Sequence, residues 1–125
     1  MTFQCLIVDD SEAFLASATR LLQSEGFAVV GTATSSSQAL NLARELKPDV
    51  VLVDVELGEE SGFEIVRRLA CAVPGTSSIL ISMYPDVDLQ DAIATSPALG
   101  FISKSKLSGG AVRRLLTPPS GVRSG

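Results

Sequence analysis

A chain of 125 residues and 13.1 kDa has room for one compact domain, and a domain of that size buries roughly two-thirds of the surface its unfolded form exposes. With 46% hydrophobic residues and a mean hydropathy of +0.34, it carries ample material for a core, which excludes global disorder. Fourteen acids against ten bases, a net charge of −4 and a pI near 4.7 give the wrong sign for gripping nucleic acid through its phosphates, so no direct nucleic-acid contact is expected.

In chain order, five short apolar runs alternate with five segments of helical spacing. The first run, Cys5 to Val8, reads as a strand. After it, Phe14, Leu15, Ala18, Leu21 and Leu22 set an apolar stripe on one helix face, with Ser11 or Asp10 to cap the helix and Gly26 to end it. Ala28 to Val30 is the second strand. Ala39, Leu40, Ala43 and Leu46 mark the second helix, which Pro48 stops. The third run, Val50 to Val53, is apolar throughout and fits a strand covered on both faces. Ile65, Val66 and Leu69 mark a third helix, and Ser78 to Ile81 the fourth strand. Leu89, Ala92 and Ile93 give a weaker fourth helix, stopped by Pro97, and Leu99 to Ile102 the fifth strand. Ala111, Val112, Leu115 and Leu116 close the series, so residues 1–116 form one domain. The tail from Thr117 to Gly125 lacks periodicity and reads as a flexible end or the start of a linker.

Strands joined through helices run parallel, because a parallel pair needs a long crossover, and right-handed crossovers layer helices on both faces. The expected fold is therefore α/β, a single-domain doubly wound sheet of five parallel strands. Apolar runs of a few residues fall far short of the 18 to 20 or so that span a bilayer, so no membrane segment is expected. Met1-Thr2-Phe3-Gln4 lacks the basic start and apolar stretch of a secretory signal, which points to the cytoplasm.

The chain has no histidine, which excludes Ser-His-Asp and Cys-His chemistry and any histidine metal site. Cys5 and Cys71 lie in apolar stretches without CxxC spacing, and both are expected to be buried thiols. Chemistry must then come from carboxylates, hydroxyls and lysine. These gather at strand ends: Asp9 and Asp10 after the first strand, Asp54 after the third, Ser82 at the end of the fourth and Lys104 past the fifth. In an open parallel sheet the carboxyl ends form one edge, and ligands bind in the crevice there. Two like charges about 4 Å apart repel by roughly 4 kcal/mol at an effective dielectric of about 20, so three clustered carboxylates call for a cation. Mg2+ fits best, since it takes one or two carboxylates and coordinates phosphate oxygens. An aspartate beside a cation, a hydroxyl and an ammonium is a plausible phosphoryl acceptor.

These motifs resemble the receiver domain of two-component response regulators. The likeness runs from about Phe3 to Leu116 and rests on Leu6-Ile7-Val8-Asp9-Asp10, Val51-Leu52-Val53-Asp54, Gly62, Ser82 and Gly100-Phe101-Ile102-Ser103-Lys104. It implies a flavodoxin-like sheet of strand order 2-1-3-4-5. It also implies Asp54 as phosphoacceptor, Asp9, Asp10 and Asp54 with the main-chain carbonyl of Glu56 as the Mg2+ site, and Ser82 and Lys104 on the phosphoryl oxygens. Ser82 and Phe101 would be the switch residues. The implied partners are a histidine kinase and an output domain or protein reached through the face of the fourth helix, fifth strand and fifth helix. A second copy of the chain is a further implied partner. Gly58 stands where the family often has proline, Met83 where a small residue is usual, and Ser105 where proline often follows the lysine. That last form resembles receivers attached to helix-turn-helix DNA-binding modules. Glu56 and Tyr84 occupy positions that tune phosphoryl lifetime in the family.

Two other classes compete. A degenerate receiver would keep the fold and act as an interaction module without phosphorylation, with Met83 and Gly58 as its support. A phosphoester hydrolase is faintly suggested by Asp54-Val55-Glu56, which resembles the DxD motif of haloacid-dehalogenase-like phosphatases, but that family carries its motif on the first strand and needs a longer chain. Neither GxGxxG nor GxxxxGK[ST] follows the first strand, so nucleotide binding has no support. Beyond its own phosphorylation and dephosphorylation, the chain is not expected to be an enzyme.

Overall fold

A computed structural model of the chain describes residues 2–83 and 89–117. Tyr84 and residues 118–125 of the expected tail lie outside the described residues. The sheet strands are β1 (Gln4–Val8), β2 (Ala28–Ala33), β3 (Val50–Asp54), β4 (Ser77–Ser82) and β5 (Gly100–Ser103). The helices are α1 (Glu12–Ser24), α2 (Ser36–Leu46), α3 (Gly62–Ala72), α4 (Leu89–Ala94) and α5 (Gly109–Leu116). The five strands pair in parallel in the order β2-β1-β3-β4-β5, the doubly wound flavodoxin-like arrangement expected from the sequence.

Successive strand residues point to opposite faces, and the core divides accordingly. Leu6, Val8, Val51, Val53 and Leu80 meet Ala39 and Ala43 of α2 and Ile65, Val66 and Leu69 of α3 on one face. On the other, Cys5, Ile7, Val50, Leu52, Ile79 and Ile81 meet Leu15, Ala18 and Leu22 of α1 and Val112 of α5. Every residue of β3 is buried, and each such Val or Leu contributes about 1.5–3 kcal/mol relative to exposure. The all-apolar central strand thus sits between two helical layers and holds the position of its carboxyl end.

Serines start four helices: Ser11 accepts from the amide of Phe14 at 3.2 Å, Ser35 from Gln38 at 3.3 Å, Ser61 from Phe63 at 3.2 Å and Ser108 from Ala111 at 3.0 Å. Ser11, not Asp10, is therefore the cap of α1. At the end of α2 the left-handed position is held by Lys47 (φ 47°), just before Pro48. β2 runs three residues past Val30 to Ala33, because an edge strand needs no apolar residue at every position and continues through Gly31 and Thr32. Cys71 corrects one expectation: Cys5 is buried, but Cys71 is exposed. The buried stripe of α3 is Ile65, Val66 and Leu69, and a residue two beyond Leu69 is turned about 200° away from it. Among the described residues no helix is long and apolar enough to cross a membrane.

One element escaped the sequence reading. Glu56–Leu57 and Glu60–Ser61 pair antiparallel as a short ribbon between β3 and α3. Gly58 makes its turn with φ 61°, as the first central position of a tight hairpin demands. Leu57 is buried in the same core cluster as Ala39, Ala43 and Ile65, which anchors the ribbon beside the carboxyl end of β3.

Candidate functional site at the carboxyl edge of the sheet

β1 and β3 are neighbours with Val8 opposite Val53, so the residues that follow, Asp9 and Asp54, emerge side by side. Asp9 is fully buried, and its amide donates to the Ala33 carbonyl of β2 at 3.0 Å. Its Oδ1 accepts from the Ser11 amide at 2.8 Å, which ties the acidic pair to the start of α1. Its Oδ2 lies 2.5 Å from Lys104 Nζ and has no partner in hydrogen-bonding geometry. Asp54 is nearly buried; Oδ1 accepts from the Glu56 amide at 3.2 Å and Oδ2 from Lys104 Nζ at 3.2 Å. Lys104 reaches both carboxylates from the 3-10 turn Lys104–Lys106 after β5, with its Nζ 4.5 Å above the Phe14 ring. That cation–π contact was not legible in the sequence, since it joins residues 14 and 104.

The remaining expected residues close the site. Asp10 is exposed, and its Oδ2 accepts from the Gly58 amide at 3.1 Å. Asp10, Asp54, Glu56, Gly58, Ser82, Met83 and Lys104 line one cavity of about 250 Å³. Phe101 is not among its lining residues. It is half-buried, packs against the core cluster of Val53 and Leu80, and lines a groove of about 700 Å³ on the β5–α5 side. Met83, 55% exposed, borders both cavities, so it shares the Asp54 cavity without plugging it.

Charge is unbalanced here, with three carboxylates against one ammonium. Burial pushes the Asp54 carboxyl above its ordinary range; the Glu56 amide pulls it back, the Asp9 charge adds to the rise and Lys104 opposes it. For Lys104, burial works against the charge, but Asp9 and Asp54 outweigh it and hold the ammonium above its usual value. One carboxylate oxygen from each of Asp9, Asp10 and Asp54 lies within 4.8 Å of the others. Three hard carboxylate donors gathered against a single lysine ammonium fit a divalent cation such as Mg2+.

Gly62, one of the residues on which the resemblance rests, has a steric reason. A Cβ at this position would lie 2.1 Å from the carbonyl oxygen of Asp54, so only glycine lets α3 start this close to β3.

A parallel sheet of this order with an acidic crevice at its carboxyl edge defines the doubly wound ligand-binding class. Within that class, the chain belongs to the response regulator receiver domain family, whose profile matches residues 5–109. It is similar to the response regulator GacA of Pseudomonas aeruginosa, with 35% identity over 100 residues that span 79% of this chain and 47% of that protein. The chain thus spans about half the length of the curated relatives it matches first. Among solved structures, it resembles a response regulator from Thermotoga maritima (28% identity, TM-score 0.81, covering 93% of this chain and 98% of that one). It also resembles a two-component response regulator of the LuxR family from Aurantimonas (25% identity, TM-score 0.82, covering 92% and 83%). As a receiver domain it is a signalling module of two-component systems.

Proposed function

We propose that this chain is a Mg2+-dependent phosphoacceptor that receives its phosphoryl group on Asp54 from the phosphohistidine of a histidine kinase. The observation that carries the reading is the Asp54 carboxylate, nearly buried at the end of the central strand, with Lys104 on one oxygen and two further carboxylates beside it. In the step, an Asp54 oxygen bonds to phosphorus as the phosphorus–nitrogen bond of the donor breaks, and the electron pair leaves with the imidazole. Lys104 offsets charge on the phosphoryl oxygens, and the Ser82 hydroxyl, on the same cavity, donates to one of them. Asp9, Asp10, Asp54 and the main-chain carbonyl of Glu56 would hold Mg2+, which would supply positive charge beside the carboxylate as the phosphoryl group approaches.

Output follows from Ser82 and Phe101, which would repack around the new charge and change the face of α4, β5 and α5 toward an output domain, a protein partner or a second copy. Residues 1–116 are the receiver and 117–125 a tail or linker start. Partial-length matches to a putative transcriptional regulator of Pseudomonas aeruginosa and to the transcriptional regulatory protein LnrK of Bacillus subtilis support a transcriptional output; the cytoplasm is the expected compartment. Intact mass after acetyl phosphate and Mg2+ tests the acceptor. One phosphoryl adduct is expected, absent in Asp54→Asn and without metal. No adduct on the wild-type chain would refute the reading in favour of a phosphorylation-independent module.

A further inference from the structure

The ribbon after Asp54 is held at its two ends by contacts of different kinds. On the site side, the Gly58 amide donates to Asp10 Oδ2 at 3.1 Å. On the far side, the Glu60 carboxylate reaches 24 residues back to the first turn of α2, where Oε1 accepts from the Ser36 amide at 2.9 Å and Oε2 from the Ser36 hydroxyl. The first-turn amides of a helix have no partner inside it, and a carboxylate there also meets the positive end of the helix dipole. Ser36 is buried, so its hydroxyl and amide present a fixed pair of donors. Both contacts hold the Glu60 carboxyl below its ordinary range.

Between these ties the ribbon has little of its own to fix it: two residues on each strand, a two-residue turn and one buried side chain, Leu57. A ribbon that short does not hold a conformation unaided. Yet it carries Glu56, whose amide donates to the Asp54 carboxylate, and Gly58, which orients Asp10. Leu57 pairs with Glu60, and Glu56 with Ser61, so a tie at Glu60 acts directly on the strand that faces the site.

We infer that Glu60 is a positioning residue for the acceptor site: by clamping the ribbon onto the N-terminus of α2, it sets where Glu56 and Gly58 stand and thereby the cation affinity of Asp9, Asp10 and Asp54. This deepens the phosphoacceptor reading and rests on it for its role in signalling. Outer partners that orient ligands commonly change metal affinity by about 10-fold or more when removed. Glu60 touches no site carboxylate in this structure, so its effect must pass through the ribbon.

The test is Mg2+ titration of the full chain by calorimetry with no phosphodonor present, for wild type, Glu60→Ala, Glu60→Gln, Ser36→Ala and the Glu60→Ala/Ser36→Ala pair. Glu60→Ala is expected to weaken Mg2+ binding about 10-fold, with Glu60→Gln closer to wild type because an amide oxygen still accepts from Ser36. The double variant should lose no more than Glu60→Ala alone, as residues in one network do. Hydrogen exchange of residues 56–61 should rise in Glu60→Ala while protection in β1 and β3 stays, which separates loosening of the ribbon from loss of the fold. Wild-type Mg2+ affinity in Glu60→Ala, or losses that add in the double variant, would overturn the inference. If the wild-type chain accepts no phosphoryl group but its Mg2+ affinity still depends on Glu60, the phosphoacceptor reading fails and the positioning role stands.

Discussion

Alanine in place of Gly62 should destabilise the fold through backbone crowding alone. The new Cβ would lie 2.1 Å from the Asp54 carbonyl oxygen and 2.9 Å from both the Asp54 carbonyl carbon and the Val55 Cα. All three are main-chain atoms of the central strand and its exit, so no rotamer change relieves the contact. Good van der Waals separation is about 3.5 Å, so the start of α3 must retreat by about 1 Å or more. Such overpacking costs about 1–3 kcal/mol. The same retreat weakens the Gly62 amide's bond to the Val55 carbonyl, now 2.8 Å, which adds about 1 kcal/mol. Alanine's better helix propensity returns at most about 1 kcal/mol. The crowding wins, and the net loss is about 2 kcal/mol. Urea denaturation reads this as a midpoint lower by about 1 M, given slopes of about 1–3 kcal/mol/M for small domains. Two other glycines isolate the cause. Gly58→Ala meets nothing within 4 Å but inherits a φ of 61°, so it loses about 1–2 kcal/mol from the left-handed backbone alone. Gly75→Ala meets nothing either and has no positive φ, so it should stay within about 0.5 kcal/mol of wild type. A Gly62→Ala midpoint equal to that of Gly75→Ala would refute the reasoning.

Two further predictions concern titratable groups. Burial pushes the Cys5 thiol up to about 12, so at mildly alkaline pH a thiol reagent should modify exposed Cys71 promptly and Cys5 only after unfolding; equal rates in the native chain would contradict the burial. Asp54 has a carboxyl raised from its ordinary 3.8 in the folded state, mainly by burial, so its ionised form costs stability at neutral pH and not below about pH 3.8, where both states are protonated. Asp54→Asn should therefore have a higher urea midpoint than wild type at pH 7, with the gain fading as pH falls through the carboxylate range. A gain independent of pH, or a loss, would show that Lys104 and the Glu56 amide outweigh the burial.

The sheet was legible because parallel strands are covered on both faces, so Cys5 to Val8 and Val50 to Val53 declare themselves as unbroken apolar runs. The rim followed from chain order alone, since each strand's carboxyl end must lie on the same edge, and Asp9, Asp54 and Lys104 do meet there. What the sequence hid has several causes. The end of β2 was hidden because an edge strand tolerates Gly31 and Thr32. The ribbon was hidden because two-residue strands are too short to show a period, although Leu-Gly-Glu-Glu contains a usable turn signal in Gly58. Cys71 was misplaced because Leu69-Ala70-Cys71-Ala72-Val73 is apolar by composition while its helix face looks outward. Glu60 with Ser36, and Phe14 with Lys104, are pairs set by tertiary placement, with no local pattern to announce them.

The arrangement of the rim also says which residue first feels a change at Asp54. Among the described residues, the Asp54 carboxylate is joined to other side chains by one ion pair, to Lys104, while its second oxygen rests on the Glu56 amide. Two charges about 4 Å apart interact by roughly 4 kcal/mol at an effective dielectric of about 20, so added negative charge on Asp54 would redistribute the lysine's attraction between Asp54 and Asp9. Asp9 cannot follow, because it is fully buried and pinned by the Ser11 amide and by its own amide on β2. Lys104 stands on a short 3-10 turn between β5 and α5 and is the ion-pair partner that both aspartates share. Motion of Lys104 therefore acts on a strand that holds Phe101 three residues earlier and on the turn that leads into the Ser108 cap of α5. Lys104 and the β5–α5 face of the proposed switch are thus neighbours in the chain, and the rigid partner is the buried Asp9 at the end of β1 rather than Asp54.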